Sequence, residues 1–300
     1  MPEIGRLLTA MATPFDAAGR VDYARARQLA EALVASGSEG LVVAGTTGES
    51  PTLTRDEKLR LFGEVREAVG DRAAVIAGTC NYCTAESIEL SREAAEIGVT
   101  GILGPVPYYN KPPQEGLYAH FKAIAEAVPL PLILYNIPSR SATNMVPATT
   151  IRLSVIDNIV GVKEASGDLE AIGQIIDGTR PDFRVWSGND ADTLPLLAIG
   201  GYGVISVTSH LVGRQIRQMI DRFLAGDVAT AAAIHRRLLP LTRACFVTTS
   251  PSPLKYALGR VGFPVGGLRL PLVEVDERSA AVMDSALAPL TIDLPVGAAV

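Results

Sequence analysis

Short apolar runs recur along the chain at intervals of roughly 30 residues: 7–14, 40–45, 73–79, 101–106, 131–135, 159–164, 183–187 and 203–207. Most are near-continuous stretches of Val, Ile, Leu and Ala without polar alternation. Strands covered on both faces read this way, which predicts a parallel sheet. The segments between them read as helices. Residues 22–35 carry small or apolar side chains at Ala26, Leu29, Ala30 and Leu33, with Arg and Glu between them. Thr54-Arg55-Asp56-Glu57 is a capping-box sequence opening a helix over 58–69. A third helix is expected over 84–97, stopped by Gly98 at its C-terminus. Further helices are expected over 114–127, 147–153, 169–177, 191–199 and 210–224.

Eight strand-then-helix units predict an α/β fold, a closed (β/α)8 TIM barrel over residues 1–225. A doubly wound open sheet is the rival, but Thr13-Pro14-Phe15-Asp16 after the first strand is not a glycine-rich phosphate loop. Residues 226–300 read as a C-terminal helical extension packed on the barrel, with helices over 227–245, 254–261 and 277–288.

In such a barrel the chemistry lies at the C-terminal ends of the strands. There the chain places Gly45-Thr46-Thr47-Gly48-Glu49-Ser50, Pro107-Tyr108-Tyr109-Asn110-Lys111-Pro112, Tyr135-Asn136-Ile137-Pro138-Ser139-Arg140, Ser187-Gly188-Asn189-Asp190 and Ile205-Ser206-Val207-Thr208. Of the five lysines only Lys163 falls inside a predicted central strand. A lysine there is either desolvated, which frees a neutral nucleophile for Schiff-base chemistry, or tied in a buried ion pair with Glu164. Adjacent strand residues point to opposite faces, which weakens the ion-pair reading. Tyr135 ends the preceding strand and is either a proton shuttle or a barrel-filling aromatic. Arg140 is either a bidentate clamp for a carboxylate or half of a surface ion pair. The Thr46–Thr47 turn offers hydroxyls and N–H groups to a small anion, or is turn chemistry alone.

Composition narrows the classes. Hydrophobic residues make up 48% and charged ones 20%, so a packed domain is expected. The net charge of −5 comes with no basic cluster, which disfavours a nucleic-acid partner. The opening Met1-Pro2-Glu3-Ile4-Gly5-Arg6 does not read as a signal peptide. The longest uncharged stretch, 193–209, is interrupted by Pro195, Gly200, Gly201 and Gly203, so no membrane span is expected. Three cysteines make no disulfide framework, and a cytoplasmic location is expected. Cys80-Asn81-Tyr82-Cys83 has the C-x-x-C spacing, but no second Cys/His pair follows at metal spacing, and His120, His210 and His235 stand apart.

The stretches GTTGES (45–50), PYYNKP (107–112), QEGLYAHFKAIA (114–125), LYNIPSR (134–140), GVKEA (161–165) and GGYGVISVT (200–208) together resemble the dihydrodipicolinate synthase family. That family lies within the N-acetylneuraminate lyase superfamily of class I aldolases, and the resemblance runs nearly end to end. It implies a homotetramer built as a dimer of tight dimers. The implied reaction condenses pyruvate with L-aspartate 4-semialdehyde on the way to diaminopimelate and lysine, with no metal or other cofactor. By resemblance Lys163 is the Schiff-base lysine and Tyr135 the proton-moving tyrosine. Thr46 links Tyr135 to Tyr109, which serves the neighbouring subunit. Thr47, Gly188 and Ile205 match positions that bind pyruvate, and Arg140 matches the arginine that receives the semialdehyde carboxylate. Sialic-acid lyases share the lysine and the turn but lack this arginine pattern. The alternative within the superfamily is an aldolase or dehydratase for a 2-keto-3-deoxy sugar acid.

Two departures stand out. Thr249-Ser250-Pro251-Ser252-Pro253 replaces an Asn-Pro-containing run and is expected to bear little on the core chemistry. Ser50, Glu86 and Tyr108 match the lysine-feedback site of regulated members, whereas Arg55, Lys58 and Tyr82 depart from it. Two added cations predict weak or absent inhibition by lysine.

Overall fold

The structure is a computed structural model and describes residues 3–295. Eight parallel strands close into a barrel in sequence order: β1 (Leu7–Ala10), β2 (Gly40–Val43), β3 (Ala74–Gly78), β4 (Gly101–Pro105), β5 (Leu132–Asn136), β6 (Ile159–Glu164), β7 (Arg184–Ser187) and β8 (Gly203–Ser206). Around it run α1 (Tyr23–Ala35), α2 (Arg55–Val69), α3 (Thr84–Ile97), α4 (Gln114–Ala127), a single turn α5 (Pro138–Ser141), α6 (Pro147–Ser154), α7 (Leu169–Gly178), α8 (Thr193–Ala198) and α9 (Ser209–Leu224). Each run expected to be a strand is one, so the TIM-barrel expectation holds.

Local chemistry sets the helix ends. Asp22 caps α1, and the Thr54–Glu57 capping box is formed, so α2 begins at Arg55, three residues earlier than expected. Gly98 ends α3 in the left-handed region at φ +84°. β1 is shorter than the apolar run suggested. After Met11 the chain turns over the barrel mouth, where the Thr13 hydroxyl donates to Gly48 O at 2.7 Å. The turn α5 was not foreseen: four residues carry no helical period, although Pro138 at its start suits a first helical position.

Side chains alternate between two cores. Leu8, Ala10, Val42, Ile76, Leu103, Ile133, Tyr135, Trp186 and Ile205 fill the barrel interior, whereas Leu7, Leu41, Val43, Val75, Leu134, Val162 and Val185 pack outward against helices. The β5–β6 ladder slips at Leu132/Ile133, where a bulge at Val160 resets the alternation. From there Val162 and Glu164 face outward and Lys163 faces in. After α9 come α10 (Val228–Ala244), α11 (Ser252–Arg260) and α12 (Glu277–Leu287). α10 lies along α9, and α12 packs on α10 and α11. Among the described residues no helix is long and apolar enough to cross a membrane.

Candidate active site

Lys163 occupies the centre of the barrel mouth. It pairs in register with Tyr135 of β5 on one side and Trp186 of β7 on the other. Its side chain is buried, and among the described residues it makes no salt bridge; its Nζ lies 4.3 Å from the centre of the Tyr135 ring. Burial pushes its pKa down from 10.5 to about 8. Asp190 opposes this shift and Arg140 adds to it. Glu164 does not pair with it. That carboxylate lies on the opposite face, where Asn136 Nδ2 donates to it at 3.1 and 3.2 Å and Ser166 N donates at 2.7 Å.

A cavity of about 50 Å³ reaches Lys163, walled by Thr46, Thr47, Tyr135, Arg140, Gly188, Asn189, Val207, Phe246 and Ser250, among others. A second cavity of about 200 Å³ shares Thr46, Tyr135 and Arg140 and continues past Cys80 toward Ser50 and Tyr108. The fold therefore gathers six of the expected site residues, Lys163, Tyr135, Thr46, Thr47, Arg140 and Gly188, around one space. Burial raises the Tyr135 hydroxyl well above its usual range, so it stays protonated and can donate. Thr47 is buried and Thr46 exposed, in a turn closed by Glu49 N to Thr46 O at 3.1 Å and Ser50 N to Gly45 O at 3.2 Å. Arg140 is solvent-exposed at the rim, carried there by α5.

Two residues stand elsewhere. Ile205 is fully buried in the barrel interior and is not part of the cavity wall; Val207, two residues on, is. Tyr109 is 91% exposed at φ +67°, outside both cavities. Among the described residues no hydrogen bond joins Thr46 directly to Tyr135.

The 249–253 segment, expected to bear little on the core chemistry, lies beside the candidate site. The link between α10 and α11 folds back over the barrel mouth, so Ser250 and Phe246 wall the Lys163 cavity. Asp190 was not singled out either. Its buried carboxylate accepts from Val207 N at 3.0 Å and from the Ser206 hydroxyl, and burial raises its pKa. An acidic residue just past β7 was the one available signal. Cys80 is buried, its thiol pushed up to about 11, and Cys83 stands at the N-cap position of α3 without capping it through its side chain; both are free thiols. Burial lowers His120 and His210 to about 4; His120 Nδ1 is hydrogen-bonded to the Thr84 hydroxyl at 2.9 Å, and His210 Nε2 accepts from Ala12 N at 3.1 Å. Among the described residues no His/Cys/Asp/Glu group has metal-binding geometry.

The sequence profile described as the dihydrodipicolinate synthetase family matches residues 3–289. The chain is 61% identical over 296 residues to the 4-hydroxy-tetrahydrodipicolinate synthase of Dehalococcoides mccartyi, covering 99% of this chain and 100% of that one. It superposes with TM-score 0.94 on the Cyanidioschyzon merolae dihydrodipicolinate synthase solved with lysine bound, at 47% identity, covering 96% of this chain and 98% of that one. A structure described as the first monomeric dihydrodipicolinate synthase variant superposes with TM-score 0.93 at 39% identity, covering 95% and 96%. Fold, sequence and relatives agree, and the chain belongs to the dihydrodipicolinate synthetase family.

Proposed function

We propose that this protein is a cytoplasmic class I lyase that condenses pyruvate with L-aspartate 4-semialdehyde to 4-hydroxy-tetrahydrodipicolinate. The observation that carries the reading is Lys163: a buried amine that makes no salt bridge among the described residues, its pKa lowered to about 8, facing a cavity that also holds Tyr135, Thr46, Thr47 and Arg140.

Pyruvate docks its carboxylate on the Thr46–Thr47 turn, whose N–H and hydroxyl groups suit a small anion. The neutral Lys163 amine attacks the ketone, and loss of water leaves a cationic iminium. The positive nitrogen acidifies the methyl group, which loses a proton to give an enamine. The enamine carbon attacks the aldehyde of the second substrate, whose remote carboxylate meets the exposed Arg140 guanidinium. The substrate amine then displaces Lys163 and closes the ring. Tyr135, lying over the Lys163 amine, carries protons in both imine steps. Lys163 itself is the electron sink, so the chemistry calls on no metal or cofactor. Tyr109 serves a neighbouring subunit in a homotetramer of tight dimers, and its exposure in the loop after β4 supports this reading.

The test is borohydride reduction with pyruvate, followed by peptide mass spectrometry. The expected result is a reduced pyruvoyl adduct on Lys163 that diminishes when aspartate semialdehyde is present. An adduct indifferent to the semialdehyde redirects the acceptor to 2-keto-3-deoxy sugar acids, and no adduct on Lys163 overturns the reading.

A further inference from the structure

One buried ion pair takes no part in these steps. Glu49 ends the Thr46–Thr47 turn, and Lys255 lies on α11 of the C-terminal helices. Their side chains are 0% and 3% exposed, with Lys255 Nζ 2.6 Å from Glu49 Oε1. The second oxygen, Glu49 Oε2, accepts from the backbone N–H of Arg269 at 3.0 Å. Lys255 also donates to Gly267 O at 2.8 Å. Arg269 extends the network by gripping Glu57 at 2.7 and 2.6 Å and donating to Gly19 O and Thr52 O, each at 2.8 Å. The Phe15 ring packs against both cations, 4.2 Å from Lys255 Nζ and 4.6 Å from Arg269 Cζ. At Gly266, with φ +74°, an added Cβ would stand 1.8 Å from Phe15 O, so the 266–269 segment is pressed against the loop after β1.

A buried pair of this kind is weak support for stability, because desolvation offsets the attraction and a packed apolar pair often does as well. What a charged pair adds is a fixed direction. Here it fixes the peptide of Glu49, whose N–H closes on Thr46 O and whose carbonyl accepts from Thr52 N at 2.9 Å and the Thr52 hydroxyl at 3.0 Å. Glu49 itself sits in the left-handed region at φ +55°, a conformation that the surroundings must hold. Lys255 lines neither cavity at the barrel mouth.

We infer that Lys255 is a positioning residue: through Glu49 it holds the Thr46–Thr47 turn in the geometry that receives the pyruvate carboxylate. The C-terminal helices then contribute to pyruvate recognition from outside the barrel. This rests on the pyruvate reading above.

The experiment compares wild type, Lys255→Met, Lys255→Arg and the double variant Lys255→Met/Glu49→Gln, measuring Tm, kcat and KM for each substrate. Lys255→Met leaves a buried carboxylate unpaired, so both Tm and pyruvate affinity are expected to fall. Its pyruvate KM should rise about tenfold, by misplacement of the turn, with Lys255→Arg recovering most of it. The double variant removes both charges. It should regain most of the Tm yet keep a pyruvate KM at least about fivefold above wild type, with the semialdehyde KM little changed. A double variant with wild-type pyruvate KM overturns the inference, as does one in which both KM values move together. If Lys255→Met does not fold, the double variant alone decides. Wild type without a pyruvate adduct on Lys163 would instead defeat the functional reading, and this inference with it.

Discussion

Tyr135 and Lys163 are register partners across the β5–β6 ladder, and the lysine nitrogen sits 4.3 Å from the centre of the tyrosine ring. The closed barrel around them buries both side chains. The same burial moves the two groups in opposite directions: the amine becomes easier to deprotonate and the phenol harder. A usable share of the amine is thereby neutral and nucleophilic near neutral pH, and the phenol stays protonated as a proton donor.

The first prediction concerns pH. With a pKa of about 8, roughly a tenth of Lys163 is neutral at pH 7, far more than for an ordinary lysine at 10.5. The rate of imine formation should climb with pH and level off above an apparent pKa near 8. Stability follows the linkage. Below 8 both folded and unfolded lysine are protonated, and the burial penalty is fully present. Between 8 and 10.5 the unfolded chain holds a proton that the folded one has lost, so this lysine's contribution to stability rises with pH. Stopped-flow or quench trapping with borohydride across pH gives the profile; a half-point near 10.5 would refute it.

Lys163→Met should separate activity from stability. It removes the nucleophile, so turnover should fall by more than about 10³-fold. It also replaces a buried amine, which makes no salt bridge among the described residues, with an apolar chain of similar length. Stability at pH 7 should rise by about 1–2 kcal/mol. Chemical denaturation of both proteins at pH 7 checks this, and a clear loss of stability would mean that Lys163 makes favourable contacts inside the barrel.

Much of this was visible in the sequence, for physical reasons that differ by residue. The strands are covered on both faces, so their apolar runs are unbroken and easily found. Lys163 stands out because a lysine within such a run has no ordinary structural reason to be there. Arg140 and the Thr46–Thr47 turn were found by their place at strand ends. Ser250 and Phe246 were missed because the return of the α10–α11 link over the barrel mouth leaves no local pattern. Asp190 was missed because its partners, Ser206 and Val207, belong to the neighbouring strand and its exit. Glu49 and Lys255 are separated by most of the chain, and neither carries a signal of the other.

Lysine should inhibit weakly or not at all. Lys58 is half-buried beside Glu86, whose carboxylate raises the lysine's pKa against the larger lowering effect of burial. Glu86 also accepts from Asn81 Nδ2 at 2.8 Å, which fixes one of its oxygens. Arg55 is paired with Glu93. A bound lysine's ammonium groups would meet the Lys58 and Arg55 cations, with the carboxylates of Glu86 and Glu93 offsetting part of the repulsion. Millimolar lysine should leave the steady-state rate unchanged, and Lys58→Ala should increase sensitivity. Strong inhibition of the wild type at sub-millimolar lysine would sink this reading.

Gly188→Ala should damage the site through a single methyl group. A Cβ at this position would lie 2.7 Å from Ala165 Cβ, 3.2 Å from Lys163 Cε and 3.2 Å from Glu164 O. The backbone cannot withdraw to make room, because Gly188 N donates to Glu164 O at 2.7 Å and stitches β7 to β6. The Lys163 arm must therefore give by a few tenths of an ångström, which should lower the rate of pyruvate trapping by less than the roughly 10²-fold of a full ångström's misplacement. Overpacking should also lower stability by about 1–3 kcal/mol. The companion change Ala165→Gly removes the closest clash and leaves the contact with Lys163. The double variant Ala165→Gly/Gly188→Ala should thus recover stability more fully than it recovers the rate of pyruvate trapping. Equal recovery of both would mean that Gly188 matters to packing between the strands and not to the placement of the nucleophile.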